Sequence, residues 1–98
     1  MNIVICDAIR ARRLLRFVYD GYERIVEPHA YGVNTAGHEA LSAWLSGGWS
    51  ASQPEPGWRM FLVRDMAQVA ALAEGFASTR EDYNAESPAF REVYCRAE

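Results

Sequence analysis

The chain has 98 residues, of which half are hydrophobic, and its 10 basic and 13 acidic side chains give a net charge of −3. That length supports one compact domain spanning 1–98 around a single modest core. The balance excludes a fibrous repeat, a disordered tail and a generally cationic nucleic-acid coat.

The first element predicted is a helix, from the spacing of Ile5, Ala8, Ile9 and Arg12 and the helix-favouring Ala8, Arg10, Ala11, Arg12 and Arg13, the alternative being a strand opening at Ile3-Val4-Ile5. From Leu14 to Tyr19 the period becomes two, with Leu15, Phe17 and Tyr19 on one face. Asp20-Gly21 supplies a hairpin turn. A second strand runs from Glu23 to Val33, with Pro28 marking an edge or a bulge. After a turn at Asn34 to Gly37, Leu41, Ala43 and Leu45 alternate with Ala40, Ser42 and Trp44 in a third strand. The stretch Gly47 to Gly57, rich in Gly, Ser and Pro, is a long loop, and Trp58 to Val63 is a fourth strand. Met66, Val69, Ala70, Ala73 and Phe76 then repeat at three and four residues, which predicts a helix capped by Asp65 and ended by Gly75. Ser87-Pro88 predicts the start of a short last helix, with Phe90, Val93 and Tyr94 docking back on the domain. The fold class expected is therefore α+β, mainly β: a strongly curled antiparallel sheet or partly open barrel, with an N-terminal helix, a helix after the last strand and a short C-terminal helix.

The only cysteines, Cys6 and Cys95, lie far apart in the chain, so the expectation is two free thiols in a reducing cytosol. The opening MNIVICDAIR has neither the basic start nor the small-residue cleavage site of a secretory leader, and no apolar run approaches the roughly 20 residues of a membrane span. A cytoplasmic location without a membrane partner is expected.

All ten basic residues are arginine, whose planar fork suits phosphate or carboxylate. Arg24 and Arg59, with Tyr19, Tyr31 and His29 near them in the expected strand pairing, make a candidate anion-binding or base-stacking groove. The alternative is a solvated sheet face on which each arginine pairs with an exposed glutamate such as Glu23 or Glu27. Arg10, Arg12, Arg13 and Arg16 form the one basic concentration, either a solvated helix end or a phosphate contact. Trp49, among Gly and Ser, either covers the barrel mouth or contacts a partner, for which Phe90 and Tyr94 are further candidates. His29, His38, Cys6 and Cys95 have no metal-ligand spacing. Ser42, Ser46 and Ser50 belong to no nucleophile motif, and Gly47-Gly48 is no phosphate loop. No cofactor, metal or enzymatic activity is expected.

The segment AIRARRLLRFVYDGYERIVEPHAYGV, followed by a strand and by GWRMFLVRDMAQVAAL, resembles the WYL domain. The likeness is carried by Ala8-Ile9, Tyr19, Arg24 with Val26 and Pro28, and Arg59 with Phe61; Tyr83 and Tyr94 resemble the tail of short, free-standing bacterial relatives. The triplet that names the family stands here as Glu39-Ala40-Leu41, keeping the leucine alone, and Asp65 replaces an arginine. The resemblance implies an SH3-like or Sm-like barrel that senses nucleic acid or a small nucleotide-like effector in transcription regulators and defence-associated proteins. The expected function is thus a non-enzymatic binding module for a small anionic or nucleotide-like ligand or nucleic acid. The alternative is a protein-interaction or homodimerisation module, or one serving a regulatory partner.

Overall fold

The computed structural model describes residues 2–48, 56–80, 82–84 and 88–97. Asn2 opens helix α1 (Ile3–Ala11): its side-chain oxygen accepts from the N–H groups of Val4 (3.0 Å) and Ile5 (3.3 Å), satisfying two of the helix's unpaired donors. Ile5, Cys6, Ala8 and Ile9 form the buried stripe. The helix stops at Arg12, which adopts the left-handed region (φ +53°).

Strands β1 (Arg13–Tyr19) and β2 (Tyr22–Asn34) are joined by Asp20 and Gly21, both at positive φ, as a two-residue hairpin turn of the type that matches strand twist requires. Asn34 then turns the chain into β3 (Glu39–Gly48), its side chain accepting from Ala36 and His38 N–H. Strand β4 (Gly57–Leu62) leads through a single 3-10 turn, Val63–Asp65, into β5 (Ala67–Gly75), and β6 (Phe90–Arg96) is the last strand. All pairings are antiparallel, in the order β4-β3-β2-β1-β5. Strand β2, at 13 residues, outruns its neighbours. Against β3 along one edge, it takes β1 beside Tyr22–Val26 and β6 beside Ala30–Asn34 on the other. Glu27, Pro28 and His29 fall in the gap between β1 and β6, where a residue without an N–H costs no ladder bond.

The sheet is open, not a closed barrel, but it curls. The Tyr19 hydroxyl accepts from Leu62 N–H (3.2 Å), and the Phe61 ring meets Phe17 (4.9 Å) and Tyr19 (5.1 Å) edge-on, so β1 and β4 approach through side chains. Helix α1 packs on the concave side, where Ile5, Ile9, Leu15, Phe17, Val26, Tyr31, Leu41 and Leu45 form the core.

Both helices expected after the fourth strand are strands. In β5 the half-buried residues are Val69 and Leu72, with Met66 just before them and Phe76 just after. Two bulges against β1 and the positive φ of Gln68 insert extra residues, so inward positions recur at three and four instead of two. Strand β6 carries two bulges against β2, and its half-buried Phe90 and Tyr94 lie four residues apart, a spacing that strand and helix share. Asp65 therefore caps no helix, and Gly75 closes a strand. There a side chain would collide with the Arg12 carbonyl, 2.5 Å from a Cβ position.

The cysteines are not free. Cys6 of α1 and Cys95 of β6 form a disulfide, with Cα atoms 5.7 Å apart, because the returning tail strand lies against the helix. Among the described residues no helix is long and apolar enough to cross a membrane.

Candidate functional site

Strand register sorts the side chains. Leu15 opposes Val26 and Phe17 opposes Arg24, so Tyr19, Arg24 and Val26 share the core face. Glu27 opposes Trp44, Trp44 opposes Trp58, and Ser42 opposes Met60 on the outer face. At His29 the β2–β3 register shifts, a bulge that adds its imidazole to the outer-face cluster.

The chain after β5 crosses this outer face. The Arg80 guanidinium is bidentate on Glu27, donating from Nε (2.9 Å) and Nη2, and lies 4.5 Å above the Trp44 ring. The His29 ring is fully buried, stacked on Phe76 (5.4 Å) and flanked by Trp58 (4.8 Å) and Tyr83 (4.9 Å). Its Nε2 accepts the Arg80 backbone N–H (3.2 Å) and its Nδ1 lies 2.7 Å from the Glu27 carbonyl. Since a main-chain N–H can only donate, Nε2 carries the lone pair and the ring proton sits on Nδ1. Burial holds the His29 pKa below its ordinary 6.5, outweighing its contacts with Glu27.

Beside this cluster lies a groove of about 320 Å³. Trp58, Tyr83 and Phe90 give it aromatic walls, and Arg59, Asp82 and Asn84 give it polar groups. Trp58 and Tyr83 are nearly parallel, with ring centres 6.1 Å apart. Apolar walls with a few converging polar groups are the usual make-up of a small-molecule site. A larger cleft, about 900 Å³, separates the end of α1 from β6 and is lined by Arg10, Arg12, Arg96 and Tyr94.

Of the residues singled out in the sequence, Arg59 and Phe90 line the groove, and Arg59 also donates to the Trp58 carbonyl (2.9 Å). His29 stands behind Trp58 as a buried support and has no exposed surface with which to meet a ligand. Tyr31 is fully buried too: its hydroxyl donates to Glu39 Oε2 and accepts from Asn2 N–H, both at 2.6 Å. Burial and the Glu39 bond push its pKa up to about 12. Tyr19 bridges β1 to β4 from the core side. Arg24 and Arg59 lie on the two strands flanking β3, against Gly48 and Ala43, five positions apart along it, so register gives no convergence. The Arg24 Nε is buried and makes no hydrogen bond among the described residues. Tyr94 packs edge-on against Tyr31 (5.3 Å). Trp49 lies outside the described residues.

The expected ion pairs are also redistributed. Glu23 is taken by Arg16 (2.7 Å), and Glu27 is buried and taken by Arg80. Missing from the sequence reading was the outer-face cluster itself. Its one signal was the polar pair Glu27 and His29 inside the otherwise apolar stretch 26–33. Among the described residues no group of three His, Cys, Asp or Glu could hold a metal ion. The chain matches no protein-family model, no curated protein and no solved structure.

Proposed function

We propose that this chain is a non-enzymatic binding module of WYL-like type, its curled sheet an SH3/Sm-like half-barrel. It takes a small, planar, anionic ligand of nucleotide type in the groove between β4 and the stretch 82–84. The observation that carries this reading is the groove itself, which Arg59 lines together with the aromatic residues Trp58, Tyr83 and Phe90. A guanidinium supplies fork-shaped donors to a phosphate, and the aromatic walls offer a surface to a base. A short single strand of nucleic acid presents the same two groups. The paired cysteines fit an oxidising compartment better than the reducing cytosol, where such bonds are rare.

The test is a titration with nucleoside mono- and diphosphates and short single-stranded DNA and RNA at two salt concentrations. Arg59→Ala is expected to weaken binding at least tenfold, since a charge-assisted bond contributes about 1.5–3 kcal/mol. Arg24→Ala, away from the groove, is expected to leave it unchanged. Equal affinity of Arg59→Ala and the unaltered chain would overturn the assignment.

One observation favours a second reading, pairing with another copy of the chain: β5 is an edge strand and most of its residues are exposed. Sedimentation at two concentrations decides it, and a monomer throughout removes it.

A further inference from the structure

We propose that His29 is an acid-sensitive catch for the stretch 76–80, and that its protonation in mild acid frees the wall of the groove that Tyr83 provides. The catch stands on its own geometry; its consequence for a ligand rests on the groove reading given above.

The Arg80 main-chain N–H reaches the sheet through a side chain, His29 Nε2, and not through a strand. Other bonds hold the same stretch: the Phe76 N–H donates to the Arg12 carbonyl (2.9 Å), and the Arg12 guanidinium donates to the Ala77 carbonyl (3.2 Å). The Tyr83 hydroxyl donates to the His29 carbonyl (3.3 Å), and Arg80 grips Glu27, neither of which changes as an imidazole titrates. Protonating Nε2 replaces its lone pair by a hydrogen and sets donor against donor, so the Arg80 N–H loses its acceptor. The cation formed would sit in a fully buried site among Phe76, Trp58 and Tyr83, with no access to water.

The charged groups that face the ring are Glu27 from its own strand, and Arg80 and Asp82 from the crossing stretch. Glu27 and Asp82 favour the imidazolium, Arg80 opposes it, and burial decides the balance toward the neutral ring. Release exposes the imidazole, which then titrates near 6.5. The released form therefore binds one more proton than the docked form below that pH. The sign follows: docking is at full strength above pH 6.5 and weakens as pH falls, by at most about tenfold per pH unit for one proton. Because Tyr83, Asp82 and Asn84 line the groove, release dismantles that side of it.

The test is hydrogen exchange of the whole chain between pH 7.5 and 5.0, corrected for intrinsic rates, with nucleotide affinity measured at the same pH values. Protection of the Arg80 amide is expected to fall several-fold to tenfold per unit below pH 6.5. In His29→Gln, whose amide oxygen replaces Nε2 as acceptor without titrating, protection is expected to stay flat. A fall of the same size in His29→Gln would place the titrating group elsewhere and overturn the catch, as would pH-independent protection in the unaltered chain. Should His29→Gln not fold, nitrogen chemical shifts of the His29 ring decide: a protonated Nε2 at pH 7.5 overturns the proposal. Release without any change in nucleotide affinity overturns the groove reading and leaves the catch standing. Flat protection with intact binding does the reverse.

Discussion

Removing the Tyr31 hydroxyl takes a donor from Glu39 and an acceptor from the Asn2 N–H, and Asn2 is the residue that caps α1. Tyr31→Phe is therefore expected to cost about 1–2 kcal/mol in urea unfolding at neutral pH, the usual loss when a buried hydrogen-bonding pair is broken. The same residue shapes the alkaline limb. Its pKa is raised from 10 to about 12, so the folded chain holds the proton longer than the unfolded one. The stability this contributes is complete below pH 10 and disappears as pH rises from 10 to about 12. Tyr31→Phe should flatten that part of the stability curve, and an unchanged alkaline slope would show that the phenol is not bound as described. Some of this was legible in the sequence: alternation placed Tyr19 with Leu15 and Phe17, which are core residues. For Tyr31 the alternation could not be carried past the bulge at His29, so a phenol with two buried partners read as a stacking surface.

Elements were legible where their period was undisturbed. Helix α1, the Asp20-Gly21 hairpin and strands β1 to β4 follow from apolar spacing and turn residues within a few positions of their observed ends. Strand β5 did not, because its two bulges add residues to the spacing between inward side chains, and β6 did not, because a four-residue spacing is common to strand and helix. Val69 and Leu72, or Phe90 and Tyr94, then mimic the face of a helix. The docking of β6 also depends on a residue that no periodicity marks. A Cβ on Gly32 would lie 2.0 Å from the Glu92 carbonyl oxygen and 2.8 Å from Val93 Cα, both main-chain atoms that can move only with the strand. Gly32→Ala is expected to lower stability by about 1–3 kcal/mol or more, the range for forced overpacking. Its exchange protection should fall first at the β6 amides while β1 and β3 keep theirs. Uniform loss across the sheet would mean that β6 is not a separable element.

At the scale of the whole chain, the two ends are fastened to each other and to the middle strand. Helix α1 hangs on β2 through Tyr31, β6 pairs with the same half of β2, and the Cys6–Cys95 bond joins α1 to β6 across 89 residues of sequence. A single sheet of this size, open at β4 and β5, buries a modest core, and its total stability belongs in the range of about 5–15 kcal/mol. A crosslink that closes so long a loop removes about 4–5 kcal/mol of chain entropy from the unfolded state, a large share of that total. Cys6→Ser with Cys95→Ser is accordingly expected to lower the midpoint of thermal unfolding by about 16–40 °C, since each kcal/mol moves a domain of this length by about 4–8 °C. The native chain, assayed before unfolding, should yield no reactive thiol, because both sulfurs are bonded and their residues buried. Two titratable thiols in the native protein, or an unchanged midpoint in the double variant, would remove the crosslink from the account. The fold would then rest on the β2–β6 ladder and the Tyr31 bonds alone.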